Sequence, residues 1–360
     1  MSDRSRIEWC DATWNPFRGC SRVSDGCRNC YAERMAARGL PGLLSPTTGE
    51  PFARMRPLCP PNAAGVHQIE PRWTGRVELI ESQLEVPLRW RRPRRIFVNS
   101  ISDMFHEAAT EATIDRIFAV MALCQQHTFL VLTKRANRMH AYFGDNRPHE
   151  IDKALLWAVS LPYCRGSIPC FVQRDGVQGW PLPNVWLGVS VEDRRTADER
   201  IPLLLMTPAA RRFISYEPAL GSVDISRYLQ PRMTLTYGSN PPPRLDWVIA
   251  GGESGPGARP AHPDWFRSVR DQCQAAQVPF FFKQWGEWAP ERKRWPGDKK
   301  GCSCGARAGR VRIDTEGRDV TSTPGLWDST DKYFWRIGKG DAGRLLDGRE
   351  WNKFPEAARG

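Results

Sequence analysis

The chain has 360 residues, 41% hydrophobic and 26% charged, with a formal net charge of +12. That length buries a large core without disulfide or metal staples, and 15 Trp with 15 Phe exclude disorder for most of it. No apolar run reaches the about 18 residues of a membrane span, and the polar stretch 1–8 has no apolar leader core, so a soluble cytoplasmic protein with no membrane partner is expected.

Short apolar runs alternate with helical stretches along the chain. A first strand is expected near Ala12 to Phe17, then Arg95–Ile101 as a strand and Ala112–Gln126 as a helix. Thr128–Thr133 reads as a strand before a helix over Lys134–Phe143. Asn184–Val191 is a strand and Arg195–Leu205 a helix. Arg211–Tyr216 and Leu245–Ala250 are strands, Asp264–Ala276 a helix and Val278–Lys283 the last strand. Runs of about six apolar residues between helices indicate a parallel sheet covered on both faces. The expected fold is therefore α/β: a partial or complete parallel (β/α) barrel of about six to seven strands, with a doubly wound open sheet as the alternative. The barrel is expected over 1–285, with insertions at about 39–94 and 163–183. Residues 286–360 read as a C-terminal extension with a basic, Cys-containing segment.

Polar residues end the strands: Ser102, Asp103, His106 and Glu107 after the second, Lys134 and Arg135 after the third, and Glu192 and Asp193 after the fourth. Glu217, then Gly251-Gly252-Glu253, then Gln284 follow the remaining three. Parallel α/β folds bind ligands at the carboxyl ends of strands, so these positions are expected to line one mouth. Helix caps are the bland reading for Asp103 and Asp193. His106, Lys134 and Glu217 are the catalytic candidates, with capping or packing the other role open to His106.

The charge divides into 52 basic and 40 acidic residues, and only nine of the basic ones are Lys. Arginine forks suit phosphate oxygens, which points to a nucleic acid or nucleotide partner; GC-rich codon usage would enrich Arg whatever the function. The stretch Arg89-Trp90-Arg91-Arg92-Pro93-Arg94-Arg95 and the region Arg292 to Arg312, with Trp295, suit phosphates and base stacking.

The strongest signal is Gly19-Cys20-Ser21-Arg22-Val23-Ser24-Asp25-Gly26-Cys27-Arg28-Asn29-Cys30-Tyr31-Ala32-Glu33. It lies between the first strand and a helix. Three thiolates from one loop can hold three irons of a 4Fe–4S cluster and leave the fourth open to a ligand. Zinc is the alternative and needs a fourth ligand, such as Cys10 or His106. Eleven cysteines in a reducing compartment favour metal or redox chemistry over disulfides. Cys164, Cys170, Cys302 and Cys304 could form a second, zinc-type site.

This loop resembles the cluster-binding loop of radical S-adenosylmethionine enzymes, nearest the spore photoproduct lyase-like branch. More closely, the chain resembles a phage-associated family named for its three-cysteine motif. That likeness runs through Thr13-Trp14-Asn15-Pro16, the cysteine loop, Ser102 to His106, Leu132 to Arg135, Gly188 to Ser190, Ser215 to Pro218, Gly251 to Gly255, Lys283 to Gly286 and Gly343 to Gly348. Six residues separate the first two cysteines and two the next, against three and two in the usual radical-enzyme loop; Asn29 stands where an aromatic residue is usual. The resemblance implies a 4Fe–4S cluster on Cys20, Cys27 and Cys30, S-adenosylmethionine on its open iron, and an electron donor. Reductive cleavage of the sulfonium would give a 5′-deoxyadenosyl radical. By position in that fold, Ser100, Ser102 and Asp103 would hold the cofactor's amino group, and Ser190 and Glu192 its ribose or carboxylate. Gly251-Gly252-Glu253 resembles the amino-binding tripeptide but lies on a late strand, so it is expected near substrate or adenine, or in a tight turn.

The reading from sequence is a radical S-adenosylmethionine-type enzyme that repairs or modifies a nucleic acid or nucleotide. A non-catalytic, zinc-stabilised nucleic-acid-binding protein is the alternative, and a phosphate-handling barrel enzyme with structural cysteines is a third. Nothing in the sequence sets an oligomeric state.

Overall fold

The computed structural model describes residues 5–57, 69–144, 147–161, 172–173, 176–177, 180–231, 243–290, 310–322 and 330–356. Seven strands form the main sheet: β1 (Ala12–Trp14), β2 (Arg95–Val98), β3 (Thr128–Thr133), β4 (Val185–Val191), β5 (Arg211–Tyr216), β6 (Trp247–Gly251) and β7 (Phe280–Gln284). Their order in the sheet is their order in the chain, and the strands are parallel. A doubly wound sheet reverses its order at a switch point; this one does not. The winding is that of a (β/α) barrel, left incomplete with β1 and β7 at the two ends of the order. Every residue of β4 and β6 is buried, as apolar runs covered on both faces require.

The helices are α1 (Tyr31–Ala37), α2 (Glu111–Leu123), α3 (Ala136–Tyr142), α4 (Arg147–Ala158), α5 (Arg194–Met206) and α6 (Pro263–Ala275), with shorter turns between. The Thr110 hydroxyl caps α2 by accepting the Thr113 N–H, and the α2 residues Ile114, Ile117, Phe118 and Met121 are fully buried. His262 caps α6 and Pro263 takes its first position, where a missing N–H costs nothing. The sequence reading did not anticipate α4; it packs on α2, and Arg116 lies 4.0 Å over the Trp157 ring.

Of the first expected insertion, 39–57 and 69–94 are described. Ala53–Pro57 and Ile69–Trp73 form an antiparallel hairpin that packs on α1, and Phe17–Arg18 pairs with Glu78–Leu79. Of the second insertion, a strand pair at 172–173 and 176–177 is described, along with 180–183. The C-terminal region builds a three-stranded antiparallel sheet from Trp288–Ala289, Lys332–Arg336 and Arg310–Ile313. A later segment then lies along β7: Trp351 O accepts the Phe282 N–H at 2.9 Å, and Lys353 N donates to Phe280 O at 3.3 Å. That satisfies an edge that would otherwise offer unpaired backbone groups.

The chain divides into two compact units. The first holds Met1–Val189 with Pro202–Arg212, and the second holds Ser190–Ile201 with Phe213–Gly360. The extension after residue 285 thus belongs to the second unit, together with β6 and β7. Among the described residues no helix is long and apolar enough to cross a membrane.

Candidate functional site

The cysteine loop leaves the Phe17–Arg18 pair through Gly19, whose φ of +89° is open to glycine and strained for other residues. A Cβ at Gly19 would also collide with the Arg76 carbonyl oxygen. Gly19 bridges to Ser102 beyond the end of β2. The loop then makes one turn at Asp25–Cys27 and enters α1 at Tyr31. Two side chains anchor α1 to the hairpin. Glu33, fully buried, accepts the Trp73 N–H at 2.8 Å and two bonds from the Arg22 guanidinium at 2.6 and 2.9 Å. Arg22 also donates to Pro71 O at 3.0 Å.

Arg135, directly after β3, organises the other side of the loop. Its side chain is 5% exposed, and that of its partner Asp103 is 8% exposed. Arg135 Nη1 donates to Asp103 Oδ2 at 3.1 Å, and Nε donates to both Glu107 oxygens at 2.9 and 3.0 Å. Nη2 donates to Ser21 Oγ at 2.7 Å and to Ser21 O at 3.2 Å, while Nη1 stands 3.7 Å from Cys20 Sγ. One guanidinium thus ties the strand ends of β2 and β3 to the residue beside the first cysteine. Sequence reading placed Arg135 only as a residue after a strand. An arginine this buried has to be paired, but its partners are far apart in sequence.

Both Asp103 oxygens are taken: Thr133 Oγ1 donates at 2.7 and 2.9 Å, and the Phe105 and Lys134 N–H groups at 3.0 and 3.2 Å. The Ser102 hydroxyl donates to Phe17 O at 2.9 Å, and the Ser100 hydroxyl to Asn15 Oδ1 at 3.1 Å. These residues, expected to hold a cofactor, stitch β1 to β2. His106 Nδ1 accepts the Ala108 N–H, which leaves Nε2–H to donate to Ser21 Oγ at 2.9 Å. Burial and the Arg135 charge hold its pKa below the ordinary histidine value, so His106 is neutral at pH 7.

Cys27 is buried, and Cys20 and Cys30 are half-buried. The three thiols act on each other's charge. Burial, and then Asp103, push the Cys20 thiol up to about 12 against the pull of Arg135. Burial also raises Cys30, while the Glu33 and Ala32 N–H groups and the Lys134 ammonium favour its thiolate. Among the described residues no three or more His, Cys, Asp and Glu side chains are gathered tightly enough to grip a metal ion. The sulfurs are therefore near one another without converging. Their chemistry fits an iron–sulfur cluster: three soft donors on one loop, with two cations and two N–H groups to offset the charge of bound thiolates.

The second unit gathers the remaining strand-end residues. Fully buried Glu192 pairs with Arg200 at 3.3 Å, and Arg200 also donates to Ser190 O at 2.9 Å. Glu217 accepts from Lys283 Nζ at 2.7 and 2.9 Å, and the Gln284 amide donates to Ser254 Oγ at 2.9 Å. Gly251 lies at a bulge of β6, and a Cβ at Gly252 would meet the Trp285 carbonyl oxygen. Glu253 closes a turn by accepting the Arg259 N–H at 2.8 Å and its guanidinium at 2.7 and 2.9 Å. The tripeptide therefore has a backbone role, whatever else it contacts.

Cys164, Cys170, Cys302 and Cys304 lie outside the described residues, as does 292–309 of the second basic stretch. In the first basic stretch, Arg94 lies 5.0 Å over the Trp90 ring and Arg95 pairs with Asp11 at 3.0 Å, while Arg91 and Arg92 are exposed.

No curated protein and no solved structure matches the chain. One family profile does, covering residues 4–355, and it runs through the cysteine loop and all seven strands. The chain therefore belongs to the DUF5131 family, described as proteins of unknown function.

Proposed function

We propose that this chain is a radical S-adenosylmethionine-type iron–sulfur enzyme acting on a nucleic acid or nucleotide in a reducing, cytoplasmic compartment. The observation that carries the reading is the loop itself: three mutually interacting thiols, clamped by buried Arg135 to the ends of β2 and β3. A cluster bound there would deliver one electron from an external donor to the sulfonium of S-adenosylmethionine, giving methionine and a 5′-deoxyadenosyl radical for hydrogen abstraction. The chain's own residues supply the setting. Cys20, Cys27 and Cys30 are the ligands. Arg135 fixes Cys20 through Ser21 and places a positive charge beside its sulfur. Lys134 adds a second cation near Cys30. His106, neutral and bonded to Ser21, acts here as a positioning residue.

Anaerobic reconstitution tests the reading. Wild type should become brown and carry stoichiometric iron and sulfide. Cys20→Ala, Cys27→Ala and Cys30→Ala should each lose the cluster, whereas Cys124→Ala and Cys273→Ala, buried elsewhere, should keep it. Reduced protein with S-adenosylmethionine should release 5′-deoxyadenosine. Full iron in the Cys27 variant would overturn the cluster assignment, and a colourless protein with one zinc would overturn the proposal in favour of a zinc-stabilised nucleic-acid-binding protein.

A further inference from the structure

The three-stranded antiparallel sheet of the second unit has two unlike faces. Phe334 and Ile313 alternate onto one of them and are fully buried. The register pairs Arg310 with Trp335 and Arg312 with Tyr333, so these four side chains share the other face. On a sheet packed against a core on one side, the outward positions are ordinarily polar. Here they include two aromatic rings, both half-buried, with centroids 6.4 Å apart.

The two arginines of this face differ in what engages them. Arg312 is buried, pairs with Asp331 at 3.6 Å and donates to the Val320 carbonyl at 2.7 Å. Arg310 is exposed and has no carboxylate partner among the described residues. Its guanidinium carbon lies 3.8 Å from the Tyr333 ring centroid and 5.7 Å from that of Trp335. A guanidinium stacked on a ring keeps its N–H donors at the edge, where they can meet a phosphate. Ring spacing then selects the form of the ligand. Bases in a duplex rise about 3.4 Å each and cover one another's faces. Rings 6.4 Å apart instead suit two successive bases of an extended, unstacked strand, one base to each ring.

We infer that this face binds single-stranded nucleic acid, with bases on Tyr333 and Trp335 and a backbone phosphate on Arg310. The inference deepens the proposed function and rests on it only for the class of ligand. It names the single strand, and it gives the grip to the C-terminal sheet rather than to the arginine run at 89–95.

The test uses the full-length protein with short fluorescein-labelled oligothymidylate and oligouridylate strands, read by anisotropy at several salt concentrations. Trp335→Leu and Tyr333→Leu should each weaken binding at least about fivefold, as expected for loss of one stacked base. Trp335→Phe and Tyr333→Phe keep a ring and should retain most of the affinity. Arg310→Ala should weaken binding and flatten the log–log salt dependence by about 0.7, and Arg310→Lys should restore the slope. A combined Arg91→Glu, Arg92→Glu variant should match wild type. Thermal melts show whether each leucine variant is folded; Arg310 is exposed, so its substitutions decide the matter even where a leucine variant is not. Dependence on these residues supports the inference with either strand, and the tighter of the two identifies DNA or RNA. Equal affinities and slopes in wild type, Arg310→Ala and the folded leucine variants would overturn the inference. So would an absence of binding at low salt, or equally tight binding of the oligothymidylate annealed to its complement. Iron content measured on the same preparations separates the two failures. A full cluster with binding indifferent to this face defeats only this inference; a clusterless wild type whose binding depends on Trp335 and Arg310 defeats only the iron–sulfur reading.

Discussion

Arg135 and Asp103 form a buried ion pair whose remaining hydrogen-bond capacity goes almost entirely to the backbone and side chains around the cysteine loop. Removing one partner leaves a charge with no solvent to take it up, a costlier change than losing a surface pair. Asp103→Ala should therefore cost about 3 kcal/mol, with Glu107 still engaging the guanidinium. Asp103→Asn, which keeps an acceptor for Thr133, should cost less. Urea denaturation at pH 7 checks both: the cost of Asp103→Asn, which keeps the shape but not the charge, reads the uncompensated guanidinium, and the further loss in Asp103→Ala reads the missing acceptor and packing. At this scale the sequence named residues that the fold does bring beside the cysteine loop, but not what they touch there. Asp103, Lys134 and His106 stood out as strand-end polar residues, and they do lie around the cysteine loop. Their hydrogen bonds, however, go to the protein itself. Strand-end position is visible in a sequence, whereas whether a carboxylate is already saturated depends on residues 30 positions away.

The elements were the most legible level. β3 and β5 have the boundaries read from the sequence, and the other strands differ by one to a few residues, because apolar runs between helices leave little choice of placement. The insertion at 39–94 was less legible. Its hairpin strands do alternate, Ala53-Arg54-Met55-Arg56-Pro57 and Ile69-Glu70-Pro71-Arg72-Trp73, but they stand in a Pro- and Gly-rich stretch that read as a long loop, and they take their place from α1, against which Phe52, Ala53 and Trp73 pack. Glycine marks where such segments cross. Gly19 and Gly39 both have positive φ, but only Gly19 is pressed against another backbone. Gly19→Ala should cost about 2–5 kcal/mol, adding a collision to the dihedral strain, while Gly39→Ala should cost about 1 kcal/mol for the dihedral alone. Thermal melts of the two variants check the difference. Gly19→Ala should also reduce iron retention, because the cysteine loop begins at that residue.

Over the whole molecule, buried histidines set the response to acid. His127 in the first unit and His262 in the second are held below the ordinary 6.5 by burial, which outweighs the carbonyl contacts to Pro87 and Thr330 that favour their charged forms. Below 6.5 the unfolded chain takes up protons that the folded chain refuses. Stability is therefore full above that value and falls as the pH drops through it, by at most about 1.4 kcal/mol per pH unit for each histidine. His262→Asn keeps an N-cap for α6 and removes one titration, so it should flatten the decline between about pH 7.5 and 5.5 by up to one proton's worth. Denaturation midpoints across that range measure it. An unchanged slope would mean that another group carries the acid response.

The segment at 351–353 has a consequence in time. β7 is synthesised some 70 residues before Trp351 and Lys353 arrive to occupy its outer backbone groups. Until then Phe280, Phe281 and Phe282 sit on an open strand, beside β6 on one side only. During translation the second unit therefore waits with a sticky, aromatic border, and it becomes safe from neighbouring chains only once Trp351 and Lys353 have left the ribosome.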